Sequence, residues 1–109
     1  MDTISYNDFK KLDIRVVKVT HAERIPNKTR ILKLTIDVGS GEYRIIIAGG
    51  AEFYSPKHFV GKKFVALVNL APKRIGDIES RGMLLAAVSG EKPLWLTVTD
   101  AAPIGAKVI

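Results

Sequence analysis

The chain has 109 residues, 47% of them hydrophobic and 26% charged, with 17 Lys and Arg against 11 Asp and Glu for a formal charge of +6. That length suits one domain with its own core, and the hydrophobic and charged fractions are those of a globular protein, which argues against wholesale disorder. The absence of cysteine removes disulfides, thiolate chemistry and cysteine-held zinc. The cationic excess favours polyanionic partners through counterion release, nucleic acid first among them. Residues 1–5 lack the basic and apolar blocks of a secretory signal, and no apolar run approaches the ~18 residues needed to cross a bilayer. A cytoplasmic protein with no membrane partner is expected, which makes the glycosylation sequon at residues 27–29 accidental.

In chain order, Ser5 is placed to cap a short helix reaching about Lys11, with Asp8 near the positive end of its dipole. Residues 12–22 are dense in β-branched side chains (Ile14, Val16, Val17, Val19) and predict a strand, with the adjacent valines hinting at a bulge. Residues 23–29, holding Pro26 and Asn27, predict a loop. Leu32, Leu34, Ile36 and Val38 then alternate with polar residues as a half-buried strand requires. The turn at residues 39–42 leads into a second strand at 43–48, and the two make a hairpin.

Ser55-Pro56 predicts a helical turn stopped by Gly61. Residues 63–70 predict a further strand, 72–79 a polar loop, and 82–88 a fifth apolar run. Phe59 and Phe64 are expected in the core, with Phe53, Tyr54 and Trp95 as further packing candidates. Tyr43 is left as the one aromatic free to stack on a base. Residues 94–98 and 107–109 are short apolar pieces, expected to extend the barrel or to pair with another copy of the chain. The layout predicts an all-β fold, a five-stranded OB-fold barrel with a short N-terminal helix, a helical turn between strands 3 and 4, and a C-terminal β extension. A single domain over residues 1–109 is expected, its core at about 12–90 and its extension at 91–109.

Catalytic chemistry finds little support. His21 and His58 are the only imidazoles, one at a strand end and one in a helical turn, without a nucleophile beside either. No HExxH or calcium-loop spacing exists, so no metal site and no cofactor are expected. Val60-Gly61-Lys62 does not complete a phosphate-binding loop, because the first glycine of that motif would fall at Pro56 and Lys63 replaces the Ser or Thr. The cations are more informative: Lys28, Arg30 and Lys33 in and after the first loop, Arg44 in the hairpin, and Lys73, Arg74 and Arg81 around the later loop. On an OB barrel these three groups can converge on the face of strands 2 and 3. On the residues alone they are equally well solvated loop charges.

Several blocks resemble the tRNA-binding domain family, which includes the C-terminal appendage or β subunit of methionyl-tRNA synthetase and standalone structure-specific tRNA-binding proteins. They are Phe9-Lys10-Lys11-Leu12-Asp13-Ile14-Arg15-Val16, Arg44-Ile45-Ile46-Ile47-Ala48-Gly49-Gly50, and Asn69-Leu70-Ala71-Pro72-Lys73-Arg74 followed by Glu79-Ser80-Arg81-Gly82-Met83-Leu84. The resemblance implies a non-catalytic protein that binds tRNA through Arg30, Arg44, Asn69, Lys73, Arg74, Ser80 and Met83. It implies a homodimer formed by the C-terminal strands and N-terminal helix, with an aminoacyl-tRNA synthetase as a further partner. A related branch of the fold is a protein-binding export chaperone, the alternative function. The sequence departs from the family at Val17, where glycine is usual, in the loop at residues 26–31, and at Arg81.

Overall fold

The computed structural model describes residues 2–109; Met1, the first residue of the N-terminal stretch, lies outside them. Helix α1 spans Tyr6–Lys10, its Asp8 amide donating to the Ser5 hydroxyl at 3.1 Å. The strands are β1 Ile14–Arg24, β2 Ile31–Gly39, β3 Glu42–Gly49, β4 Lys63–Leu67, β5 Lys73–Ile75, β6 Ile78–Ser80, β7 Met83–Leu84, β8 Ala86–Ser89 and β9 Lys92–Trp95, with a 3-10 turn at Pro56–His58. Five of them form one antiparallel sheet in the order β3-β2-β1-β4-β7. Strand β3 also meets β6 and β7. There the Arg81 amide donates to the Ile45 carbonyl, and the Ile47 amide donates to the Ser80 hydroxyl, both at 2.9 Å. The sheet is thereby nearly closed into an OB-like barrel.

The alternation in β2 places Leu32, Leu34, Ile36 and Val38 inside. Val17, Val19, Ile46, Phe64 and Leu84 meet them from the neighbouring strands. Burying each large side chain contributes about 1.5–3 kcal/mol relative to leaving it in water. Phe59, following the 3-10 turn, is fully buried and contacts Phe64 and Trp95 with ring centroids 5.7 Å away in each case. The turn is therefore held by its buried aromatic; Ser55 precedes Pro56 but makes no side-chain cap bond.

The β2–β3 connection has Ser40 and Gly41 at φ 55 and 76, the positive pair that a tight I′ hairpin needs to match strand twist.

Four expectations are corrected. The irregularity in β1 lies between Val19 and His21, not at Val16-Val17. Both valines are buried because both faces of that stretch are covered. The segment 105–108 lies along the free edge of β1, with the Gly105 amide 2.7 Å from the Val16 carbonyl and the Val16 amide 2.9 Å from the Ala106 carbonyl. Residues 72–79 are mostly the β5–β6 hairpin rather than a loop. The fifth apolar run divides into β7 and β8 at Leu85, whose amide turns to the Val65 carbonyl. Phe53 is exposed rather than packed.

The C-terminal pieces do extend the barrel. Strands β8 and β9 pair as a hairpin, and Gly39 and Gly105 let the tail approach the β2–β3 turn. A Cβ on Gly39 would stand 2.9 Å from the Gly105 Cα, and both glycines have positive φ.

Candidate nucleic-acid interface

Two projections shape one side of the barrel. The connection 25–30 between β1 and β2 is turned by a bond from the Lys28 amide to the Ile25 carbonyl at 3.1 Å and by Asn27 at φ 66, a left-handed conformation that asparagine tolerates. The β5–β6 hairpin turns at Gly76-Asp77, with Gly76 at φ 62, the first central position at which a II′ turn places glycine. Between them lies an open groove of about 720 Å³, within the size range of ligand sites. Ile25, Ile45, Ile75 and Ile78 supply apolar lining; Arg24, Lys28 and Lys33 bring positive charge, and Glu23, Asp77 and Glu79 negative charge.

Of the residues singled out in the sequence, Lys28 and Lys33 come together in this groove. Lys33 lies 3.5 Å from Glu23, its cross-strand neighbour, while Lys28 forms no ion pair among the described residues. Arg30 is exposed and 3.6 Å from Glu52. Lys73 and Arg74 are exposed on β5, opposite Ser80 and Glu79, with Arg74 4.0 Å from Glu79. Arg81 is exposed at the foot of the hairpin and Met83 is 43% exposed on β7. Ser80 is buried, its hydroxyl accepting from Ile47 and lying 3.4 Å from the Gly82 carbonyl. The Asn69 amide is a clamp: its oxygen accepts from the Asp13 amide at 2.9 Å and its nitrogen donates to the Lys11 carbonyl at 2.7 Å.

Arg44 does not join the groove. Strand alternation puts it on the face of the buried Ile46 and opposite to that of Ile45, at the end of the barrel interior. Its Nε is 2.6 Å from Glu42, and Nη1 donates to the Val68 carbonyl. Beside it Arg15 pairs with Asp13 at 2.7 Å and reaches the Gly105 carbonyl at 3.3 Å. These four charged groups line a polar recess of about 190 Å³.

Reading the sequence missed Arg24, Asp77 and the groove isoleucines. A signal was present, since Ile75-Gly76-Asp77-Ile78 has the Gly-Asp centre of a two-residue hairpin.

Elsewhere, His58 packs on Tyr54 with ring centroids 4.6 Å apart. Its burial, and then the charges of Lys62 and Lys92, hold the imidazole below its ordinary value. Among the described residues no group of three or more His, Asp or Glu side chains is placed to hold a metal, and no helix is long and apolar enough to cross a membrane.

Residues 14–107 match the family described as "Putative tRNA binding domain". The chain belongs to this tRNA-binding domain family. It is 48% identical over 107 residues to a methionine–tRNA ligase of Thermotoga maritima and 45% identical over 105 residues to that of Methanoregula boonei. These alignments cover 98% and 96% of this chain but only 17% and 15% of the ligases. The family is that of a non-catalytic domain, and the likeness to the ligases runs through it. Among solved structures, a MetRS-related protein from Pyrococcus horikoshii superposes with a TM-score of 0.93 at 35% identity, covering 100% of both chains. The chaperone CsaA of Bacillus anthracis superposes with a TM-score of 0.88 at 30% identity, covering 99% of this chain and 100% of the other.

Proposed function

We propose that this protein recognises the folded shape of tRNA through the groove side of its barrel and serves methionyl-tRNA synthetase as an appended domain, β subunit or free homologue. One observation supports it above the rest: Arg24 at the end of β1 and Lys28 in the loop line the open groove, Lys73 stands on the hairpin beside it and Arg81 at the hairpin's foot, and none of the four forms an ion pair among the described residues. Uncommitted cations on two projections suit two stretches of ribose-phosphate backbone, and phosphate contacts of this kind fix position without reading sequence. In this reading Arg30 and Arg74 add to the field, and Met83 packs against sugar or base. Arg44, Asn69 and Ser80 hold the surface in shape. Binding tRNA here raises its effective concentration near the enzyme that aminoacylates it.

Filter binding of tRNA at several salt concentrations tests the proposal. Affinity should fall steeply with salt, and Lys73→Ala with Arg74→Ala should weaken binding about tenfold while flattening the slope by roughly 0.9 for each phosphate no longer neutralised. Salt-insensitive binding, equal for tRNA and an unrelated protein, would sink it.

We further propose a cytoplasmic homodimer. Its basis is the apolar surface left on the C-terminal hairpin and the N-terminal segment: Val88, Leu94 and Leu96, with Ile4 and Tyr6, are all exposed. Light scattering of the purified chain reads the stoichiometry directly. The same surface, together with the likeness to CsaA, favours a second reading as a protein-binding export chaperone. Suppression of client aggregation without measurable tRNA binding would put that reading first.

A further inference from the structure

The groove carries three carboxylates that a surface for phosphate alone does not explain. A phosphate about 4 Å from a carboxylate is repelled by ~1 kcal/mol even at the dielectric of water, and by several times that near a protein surface. Yet Glu23, Asp77 and Glu79 line the same groove as Arg24, Lys28 and Lys33. Their engagement differs. Glu23 lies within 3.3 Å of His21 and 3.5 Å of Lys33, and Glu79 is 4.0 Å from Arg74. Asp77, exposed at the tip of the β5–β6 turn, has no ion-pair partner among the described residues. An ionised carboxylate only accepts hydrogen bonds, so Asp77 offers a free acceptor on the hairpin lip, while Lys28 lines the same groove from the other lip.

The apolar part of the groove is aliphatic. Ile45, Ile75 and Ile78 are half-buried there, enough to cover the faces of a flat ring without an aromatic partner. A nucleotide fits such a combination in every part, having a flat apolar face, a donor edge and a phosphate. A basic peptide would match the carboxylates and isoleucines but meet Arg24, Lys28 and Lys33 with like charge. Resting on the RNA-binding reading above, we infer that this groove holds one unpaired nucleotide of the RNA, with its base against the isoleucines, its donor edge on the Asp77 carboxylate and its phosphate at Lys28. Guanine, whose pairing edge presents two adjacent donors to a carboxylate, is the preferred base. The protein then reads one splayed base in addition to the outline of the RNA, the mode by which sequence is read in unpaired RNA.

Methyl NMR of the full chain, labelled at isoleucine, tests this directly. The probes are single-stranded tetraribonucleotides that vary one internal base, a blunt RNA duplex, inorganic tripolyphosphate and an oligolysine peptide. The tetranucleotides should move the Ile45, Ile75 and Ile78 methyl signals by ring current, guanine most strongly, whereas duplex and tripolyphosphate leave them in place. Asp77→Asn, an isosteric change at an exposed turn, should lower affinity for the guanine tetranucleotide about tenfold and abolish the preference for guanine over the other bases; Asp77→Ala should do the same. Intact tRNA binding with unmoved isoleucine methyls would overturn the inference and spare the tRNA reading. Methyl shifts produced by oligolysine and not by RNA would overturn it in favour of a protein ligand, as would Asp77 variants that keep the guanine preference. Absence of any tRNA binding removes both the inference and the reading beneath it.

Discussion

Two of the places where arginine and acidic side chains meet on the barrel are built in opposite ways. At the small polar recess, Arg15 and Arg44 lie 2.7 and 2.6 Å from Asp13 and Glu42, and each also reaches a main-chain carbonyl. In the open groove, Arg24, Lys28 and Asp77 have no such partners among the described residues. The difference is one of position. A guanidinium at a barrel end is flanked by strands that fix both its neighbours and the carbonyls within reach, and the Arg44 side chain keeps only 19% of its exposure. Side chains on a projecting loop and hairpin tip have water on several sides, so their charges stay available. Charge at the recess is therefore committed to the fold, and charge at the groove is what the proposed reading leaves for a ligand.

The largest effect that would break this contrast is expected at the recess. Arg44→Ala removes the partner of Glu42 and a donor to Val68, and should lower stability by about 2 kcal/mol in urea denaturation. Its tRNA salt slope should match that of the parent; a shallower slope would make Arg44 a phosphate contact after all. At the groove, Arg24→Ala with Lys28→Ala should leave stability within about 0.5 kcal/mol. The same pair should weaken tRNA binding about tenfold at moderate salt, as read by filter binding.

A step smaller is Ser80→Ala, which leaves the Ile47 amide without its acceptor at the join between the two regions. A loss of about 1 kcal/mol is expected, with weaker binding only in proportion to unfolding.

The smallest effect is a pH dependence from His58, remote from the groove lining. Above its ordinary value of 6.5 the imidazole is neutral in both folded and unfolded chains and contributes nothing. As pH falls through that value the unfolded chain takes up the proton first, because the folded value is depressed by burial and by Lys62 and Lys92. Stability therefore declines with falling pH until the folded imidazole is also protonated. His58→Gln should flatten that part of the curve, and an unchanged curve would locate the titration in another group.

What could be seen in the sequence follows from how local each determinant is. The β2–β3 hairpin is written in successive residues, through the alternation from Leu32 to Val38 and the Ser40-Gly41 turn, and the helix announces itself through Ser5 and Asp8. The β5–β6 hairpin escaped because its strands have three residues each, too few for alternation to stand out among Lys, Arg and Glu. Val16-Val17 suggested a bulge because nothing nearby in sequence reveals that residues 105–108 cover that edge of β1. Residue type was sufficient to single out Lys28 and Lys33, which line the groove, and Lys73 and Arg74, which are exposed on β5. It did not reveal that Arg44 bonds the Val68 carbonyl or that Asn69 bonds Lys11 and Asp13. Partners distant in the chain decide whether a polar side chain is spent on the scaffold or presented to a visitor.

The join between β3 and the β6–β7 segment is thin compared with the β2–β3 pairing. Strands β2 and β3 share a ladder from Ile31↔Gly49 to Gly39↔Glu42, whereas the join has the Arg81 amide on Ile45 and one side-chain oxygen standing in for a main-chain acceptor at Ile47. Such a fastening yields before the ladders do, so the Ile47 and Arg81 amides should exchange with deuterated solvent ahead of those in β2. Opening of this fastening would free the hairpin lip while leaving the ladders around the hydrophobic interior intact.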